Sequence, residues 1–464
     1  MVRILTILAL LACAAISSAW EELLVVTTDY SAYGAVSTVG RHAPWTPTAD
    51  IETINADAVA RWHGGLYYVV NRGGPSNVQI LDPALGLDTI LQFSVGVGRN
   101  PQDIAFGADG HGWIPCYDEA VLLEVDPEGG TILGSYSTSE FADADGLPET
   151  SWTILAGDVL GIVCQRLDRN GWWGPADYSQ ILLFDLAARA WIDADPVSPG
   201  VQGLVLAGTN PSAMPEPVGD GRRARVASTG WFGLLDGGIE TVDLIAGTTS
   251  GLQVTEAQLG GDIIDFVTVA VDRAYALVSD AAFRTNLVTF DPRDGSAVST
   301  IVAAAGYDYV DLAWDGVDLV YLCDQTVGAA GVRVFAAATG VELTTAPVGV
   351  GRPPFMVVAP VDVTTSVSQF SVPLLTVAPP FPNPANPRTT VVMSAPPYSE
   401  IRLEVLDVRG RRIADAMVTA DAGGRADWTW IGCDEHGRPA PSAVYHVRAT
   451  SGAFRAETTL TLVR

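Results

Sequence analysis

The sequence predicts an all-β protein: a seven-bladed β-propeller followed by a small β-sandwich. Three observations carry this. A phrase of four short strands recurs six times between Asp57 and Gly349. A seventh innermost strand, Phe355 to Val358, then follows without partners downstream. Past a linker, five to seven further short strands crowd into the last 85 or so residues. Repeats of this length, each a small set of strands that cannot bury its faces alone, are the mark of stacked blades.

Composition supports a packed, exported, acidic body. The 464 residues are 48% hydrophobic and 17% charged, so a sizeable core can be buried. The 47 glycines and 29 prolines are spread along the chain, which favours many turns and short strands. A net charge of −27 excludes nucleic acid and anionic membrane as partners, because phosphates would be repelled. All 26 basic residues are arginine, which a drift in genome composition explains without a functional demand. From Val377 to Arg464 there are 10 arginines and 9 acids, whereas the rest holds 16 arginines and 44 acids. Two such different surfaces imply at least two domains.

The elements follow in order. Arg3, the apolar run Ile4 to Ala15 and the small residues Ser17-Ser18-Ala19 read as a signal peptide over residues 1–19. The run is shorter than the ~20 residues a membrane span needs, so the mature chain has no transmembrane helix. Leu10-Leu11-Ala12-Cys13 leaves lipidation of Cys13 as an alternative. The remaining Cys116, Cys164 and Cys323 fall on the same strand of different repeats, too far apart to bridge, and are expected to be buried free thiols, as is Cys433. The five histidines are scattered without ligand spacing, which argues against zinc.

The propeller is expected over residues 20–361. Its third strands end alike, in Leu81-Asp82-Pro83, Val125-Asp126-Pro127, Phe184-Asp185, Val242-Asp243 and Phe290-Asp291-Pro292. An aspartate there starts the tight turn into the fourth strand. In a second register, Asp57, Asp103, Asp265 and Asp311 each precede an aromatic by ten residues. The partners of the seventh innermost strand are expected to be an N-terminal pair, Leu23 to Thr28 and Ala35 to Val39, which closes the ring and removes its free edges.

Asn100-Pro101-Gln102-Asp103-Ile104-Ala105-Phe106, followed by Asp109-Gly110, resembles the YncE-like seven-bladed propellers. Around Pro211-Ser212-Ala213-Met214 the pattern loses its acidic residue. The resemblance implies an exported or surface binding propeller, with no agreed catalytic residues to transfer.

Residues 362–376 read as a linker and 377–464 as the β-sandwich. Asn383-Pro384…Asn386-Pro387, Val405 to Arg411, Trp430 to Gly437 and Ala443-Val444-Tyr445 resemble the immunoglobulin-like domain of the flagellar hook-capping protein. Type IX sorting domains look similar, so the resemblance implies an export or surface-attachment module. A passive spacer is the alternative.

Candidate sites come from loops that a blade's alternating strands send to one face. Two long insertions, Ser139 to Glu149 and Gln165 to Gly174, flank one blade on that face. Asp143, Asp145 and Glu149 are hard oxygen ligands that suit Ca²⁺, although Asp-Gly is also an ordinary solvated turn. Trp172 and Trp173, beside Arg166, Asp168 and Arg169, are suited to stacking on a sugar or peptide, or to roofing the blade. Asp57, Asp103, Asp265 and Asp311 are expected near the central channel, either converging on a cation or bonding to their own blades. No nucleophile elbow, phosphate loop or HExxH is present. Two functions remain. One is a non-catalytic propeller, secreted, periplasmic or on a bacterial surface, that binds a protein, glycan or surface component. The other is a cation-dependent hydrolase or lactonase at the channel.

Overall fold

A computed structural model describes residues 22–360, 376–378, 380–395, 400–420, 425–451 and 454–463. The signal-peptide reading of residues 1–19, including Cys13, lies outside these, as does the 362–376 linker except for Thr376. The chain divides into two compact units, Met1–Ser366 and Val367–Arg464.

The first unit is a β-propeller, built from seven antiparallel sheets in sequence order. Blade 1 is Ala58–His63, Leu66–Asn71, Asn77–Asp82 and Asp88–Ser94. Blade 2 is Ala105–Phe106, Gly112–Pro115, Val121–Asp126 and Thr131–Ser137. Blade 3 is Thr150–Ala156, Val159–Cys164, Gln180–Asp185 and Ala190–Ile192, with Leu204–Val205 also paired to its third strand. Blade 4 is Glu216–Val218, Arg223–Ser228, Gly238–Asp243 and Thr248–Thr255. Blade 5 is Asp262–Ala270, Arg273–Ser279, Thr285–Phe290 and Ser299–Ala303. Blade 6 has Tyr309–Trp314, Leu319–Asp324 and Gly331–Ala336, its outer edge met by bridges at Glu342 and Val348.

Blade 7 closes the ring. Its innermost strand, Pro354–Val358, pairs with Glu22–Thr28 from the chain's other end. Gly34–Gly40 follows, and then Pro47–Ile54. Three N-terminal strands therefore complete the blade where the sequence led us to expect two. The third, with its run Pro-Thr-Ala-Asp, is mostly exposed, so it carries little of the apolar alternation that marks a buried strand.

The recurring aspartates that end the third strands do what their position predicts. The carboxylates of Asp82, Asp126, Asp185, Asp243 and Asp291 each accept backbone N–H bonds from the residues that follow, fixing the turn. Blades pack through aromatics of the second strand. Trp113, Tyr275 and Tyr321 are fully buried, and Trp113 lies 5.3 Å from Phe184 of the next blade. Each such ring contributes about 1.5–3 kcal/mol through the surface it removes from water. Cys116, Cys164 and Cys323 are buried free thiols; Cys433, expected to be buried as well, is partly exposed in the turn after Trp430 and forms no disulfide among the described residues.

The second unit is a β-sandwich. One sheet holds Thr376–Val377, Thr389–Ser394 and Arg425–Trp430. The other holds Arg412–Thr419, Glu400–Leu406, Ala443–Ser451 and Phe454–Leu462. Their inward residues, among them Val391, Leu403, Trp430, Tyr445 and Val447, form one core. Both polar tips in it are satisfied: Trp430 Nε1 donates to Cys433 O at 2.9 Å, and Tyr445 Oη to Pro441 O at 2.7 Å.

Candidate functional site

The two insertions of blade 3 interlock. Asp143 Oδ1 accepts from Asp145 N, and Asp145 Oδ1 from Leu147 N, so each aspartate shapes its own turn. Asp145 Oδ2 reaches the second loop, accepting from Arg169 N at 2.9 Å. The buried Glu149 accepts from Leu167 N at 3.1 Å and from Arg169 Nε at 2.8 Å. Arg169 goes on to Asp118 (2.7 Å) and to Tyr117 O (2.9 Å). Carboxylate oxygens of Asp143, Asp145 and Glu149 lie within 4.8 Å of one another, as a cation site requires, while Arg169 sits against Glu149. Burial pushes Glu149 up to about 7, partly offset by the Arg169 hydrogen bond. Asp143 is also raised, by burial and then by the charge of Asp145.

The second loop presents its tryptophans on a short ribbon, Leu167–Asp168 against Gly174–Pro175. Asp168 holds the bend, accepting from Asn170 N on its side chain and from Trp173 N on its carbonyl. Trp172 is 93% exposed and Trp173 51% exposed, with the Arg169 guanidinium 4.9 Å over the Trp173 ring. Both tryptophans have left-handed backbone, at φ +64° and +59°. Bulky residues rarely adopt that region, at a cost of about 1–2 kcal/mol. Arg166 departs from the surface role expected of it. It is buried, 3.7 Å from the Tyr178 ring centre, and holds the loop from beneath.

The first-strand aspartates do not converge as a set. Asp103 is buried, and Arg61 grips both of its oxygens at 2.6 Å. Asp57 stands apart, accepting from Arg72 Nε at 2.8 Å with more than half of its side chain exposed. The reason is hairpin length. Tyr67 pairs with Trp62, whereas Trp113, Tyr275 and Tyr321 pair with Ala105, Val267 and Ala313, so the first hairpin of blade 1 is shorter. A constant spacing in sequence therefore puts Asp57 out of register, and Ala60 holds the matching position.

In register, the acids span blades. Asp103 accepts from Thr153 N at 2.8 Å, Asp265 from Leu312 N at 2.7 Å and Asp311 from Val357 N at 2.9 Å, each on the innermost strand of the following blade. Glu216 does the same for Thr268 N at 2.7 Å. It supplies the acid that the degenerate fourth repeat lacks, from a longer side chain further along.

Asp265, Asp311 and Glu216 line a central cavity of about 350 Å³, with Arg61, Trp152 and Phe355 on other blades. Burial pushes Asp265 up to about 7 and raises Glu216, and Asp311 is raised by burial and then by the charge of Asp265. Three carboxyl groups with raised affinity for protons thus stand in the wall of a cavity that also bears Arg61 and Arg72.

Sequence reasoning missed Arg61, Glu216 and a second acidic cluster, Asp109–His111–Glu124. In that cluster Glu124 accepts from Arg189 at 2.6 Å and from Tyr136 Oη at 2.8 Å, and His111 Nδ1 lies 2.7 Å from Glu124 Oε1. Arg189 arrives from blade 3, so the cluster fastens two blades and already holds a cation. Also missed were exposed aromatics on other loops of the Trp172–Trp173 face: Tyr30, Trp231, Phe232, Phe283 and Tyr307.

No family model matches the chain, and no curated protein does. Solved structures match it at low identity and with TM-scores below 0.5. A protein of unknown function from Desulfotomaculum acetoxidans is 11% identical at TM-score 0.47, covering 73% of this chain and 99% of its own. PorZ, a surface component of the type-IX secretion system of Porphyromonas gingivalis, is 13% identical at TM-score 0.45. That match covers 96% of this chain and 58% of PorZ. Kuenenia stuttgartiensis hydrazine synthase is 14% identical at TM-score 0.44, covering 59% and 74%. The fold assignment stands on the seven sheets themselves. No helix among the described residues is long and apolar enough to cross a membrane.

Proposed function

We propose that this chain is an exported, non-catalytic binding propeller of YncE-like kind. It engages an extracellular protein, glycan or surface component through the face that bears Trp172 and Trp173. The sandwich over 377–464 is then an immunoglobulin-like sorting or attachment module. One observation carries the reading: Tyr30, Trp172, Trp173 and Phe283 are exposed aromatics, each held at positive φ. A ring left half or more exposed on left-handed backbone returns less to folding than its burial would, whereas a bound partner would cover it. The test is binding of the full chain to peptide and glycan arrays, beside Trp172→Ala/Trp173→Ala. The double variant is expected to keep its melting temperature and lose binding about 30-fold or more, as for a ~2 kcal/mol anchor. Unchanged binding sinks the assignment of these residues.

A Ca²⁺ ion held by Asp143, Asp145 and Glu149 is a separate part of the proposal. Arg169→Ala removes the guanidinium that faces Glu149. It is expected to cost about 1–3 kcal/mol by leaving a buried acceptor unpaired. Millimolar Ca²⁺ should raise the melting temperature of that variant more than that of the parent. No Ca²⁺ effect on either protein makes these loops ordinary capped turns.

A second reading, a hydrolase or lactonase at the channel, is favoured by the cavity carboxyls, whose raised affinity for protons suits acid–base work at neutral pH. Turnover of a lactone panel that disappears in Asp265→Asn would establish it over the binding reading.

A further inference from the structure

We propose that the loop face from blade 3 round to blade 7 docks a polypeptide segment whose apolar anchors are flanked by lysine or arginine. This rests on the binding reading above and names the partner class.

The surface is continuous across blades. The Trp231 ring of blade 4 lies on Gly174 of the blade 3 ribbon so closely that a Cβ at Gly174 would meet ring atom Cη2 at 2.0 Å. The adjoining Phe232 stacks on Phe283 of blade 5 at 5.8 Å and meets Tyr307, on the connection to blade 6, at 6.3 Å. Tyr30 of blade 7 donates to Gln325 of blade 6 at 2.8 Å and packs edge-on to Phe355, 6.4 Å away, at the wall of the central cavity. With Trp173, the five rings Trp231, Phe232, Phe283, Tyr307 and Tyr30 are each at least 45% exposed. Every one sits in a loop between second and third strands, or in a blade-to-blade connection. Strand alternation brings those loops to one face. An apolar surface of this reach, rimmed by polar groups, marks an interaction site.

Charge selects the occupant. On the same loops Asp29, Asp168, Asp236 and Asp308 accept backbone N–H bonds from Tyr33, Asn170, Trp231 and Gly306. None of these four makes an ion pair among the described residues. The arginines of this face already have partners: Arg166 with Asp177, Arg169 with Glu149, Arg284 with Asp280 and Arg352 with Asp50, the charge of Arg352 also reaching Asp29. The face is therefore aromatic and net negative, on a chain of net charge −27. A second copy would set these acids against themselves, and an anionic lipid surface would be repelled. A basic segment with aromatic or aliphatic anchors satisfies both features, with charge steering and the rings holding.

The probe is a random 12-residue peptide library displayed on phage and selected on the full chain at 50 mM salt, with a glycan array in parallel. Selected peptides are expected to combine Trp, Phe or Leu with Lys or Arg. As synthetic peptides they should bind at least tenfold more weakly to Phe232→Ser/Phe283→Ser. They should also bind about fivefold more weakly to Asp29→Asn/Asp308→Asn, which keeps the turn-capping oxygen and removes the charge, and more weakly again at 500 mM salt. Far-UV circular dichroism and melting of each variant confirm its fold. Acidic or uncharged selected sequences, or binding indifferent to the Phe232/Phe283 pair, overturn the proposal. Glycan binding that depends on Trp172 and Trp173, without peptide binding, overturns this partner class and leaves the binding reading intact. Failure of both classes overturns both.

Discussion

Asp103→Ala is expected to lower the unfolding free energy of the propeller by about 3–5 kcal/mol, the usual cost of truncating one partner of a buried ion pair. The carboxylate is a junction of three blades. Its two oxygens take both arms of Arg61 from blade 1, its own following backbone N–H at Ile104, and the N–H and hydroxyl of Thr153 in blade 3. Alanine leaves the guanidinium without its counter-charge and an inner-strand N–H without an acceptor. Arg61 cannot swing freely to water, because it also contacts Met214 sulfur at 2.8 Å and lies 5.6 Å from the Trp152 ring. Asp103→Asn separates the two losses. It keeps one acceptor for Thr153 N–H and forfeits the charge, so its cost should fall between those of the parent and the alanine variant. Urea titrations followed by tryptophan fluorescence and by far-UV circular dichroism measure both. A midpoint shift worth less than about 1 kcal/mol for the alanine variant would mean that the blade 1–2–3 junction does not depend on this group.

That junction also shows what a sequence can and cannot disclose. Asp82, Asp126 and Asp291 were readable because their job is local: each caps the turn that begins at the next residue. The closing role of Phe355 to Val358 was readable because a lone apolar strand needs partners. The Trp172–Trp173 pair stood out because it interrupts a polar, glycine-bearing loop. Partners across blades carry no such signal. Arg61 meets an acid 42 residues on, and Glu216 an N–H 52 residues on, across connections whose lengths follow no rule. Phe232, Phe283 and Tyr307 look like any core aromatics in one dimension. Only ring closure, which places their loops on one face, leaves them outside. Asp57 was misplaced for the converse reason. Equal spacing in sequence is equal position in space only when the intervening hairpins are equally long.

The cavity wall yields the other large effect, a stability that changes with pH in a direction opposite to that of ordinary paired carboxylates. In the unfolded chain Asp311 loses its proton near 3.8, whereas in the folded chain burial and the charge of Asp265 hold the proton to well above that. Between the two values the folded state binds more protons than the unfolded one, so unfolding free energy falls as pH rises. The contribution is fully present below the unfolded value and is lost as pH climbs through the folded one. Asp265, with its folded value of about 7, adds a window from about 4 to 7, and Glu149 at about 7 acts in the same sense. Asp280, held down at about 2 by Arg284 and loop N–H groups, works the other way and protects only above its unfolded value. The difference between a variant and its parent isolates one group from this sum. Asp311→Asn is the clean choice, because asparagine keeps the oxygen that accepts from Val357 N and can turn its amide toward the cavity. Asp265 uses one oxygen for Phe266 N and the other for Leu312 N, so its asparagine variant would also lose a bond. We expect Asp311→Asn to match its parent within about 1 kcal/mol near pH 3.5, where the aspartate keeps its proton in both states, and to gain on it as the pH rises above about 4. By pH 8 it should be the more stable protein, because only the parent must hold a proton, or bury a charge, at a site that ionises freely once unfolded. Paired urea titrations at half-unit intervals give the curve. Parallel profiles across the range would show that Asp311 ionises as freely in the folded chain as in the unfolded one. That result would remove the proton-holding pair from the channel and, with it, the physical basis for acid–base chemistry there.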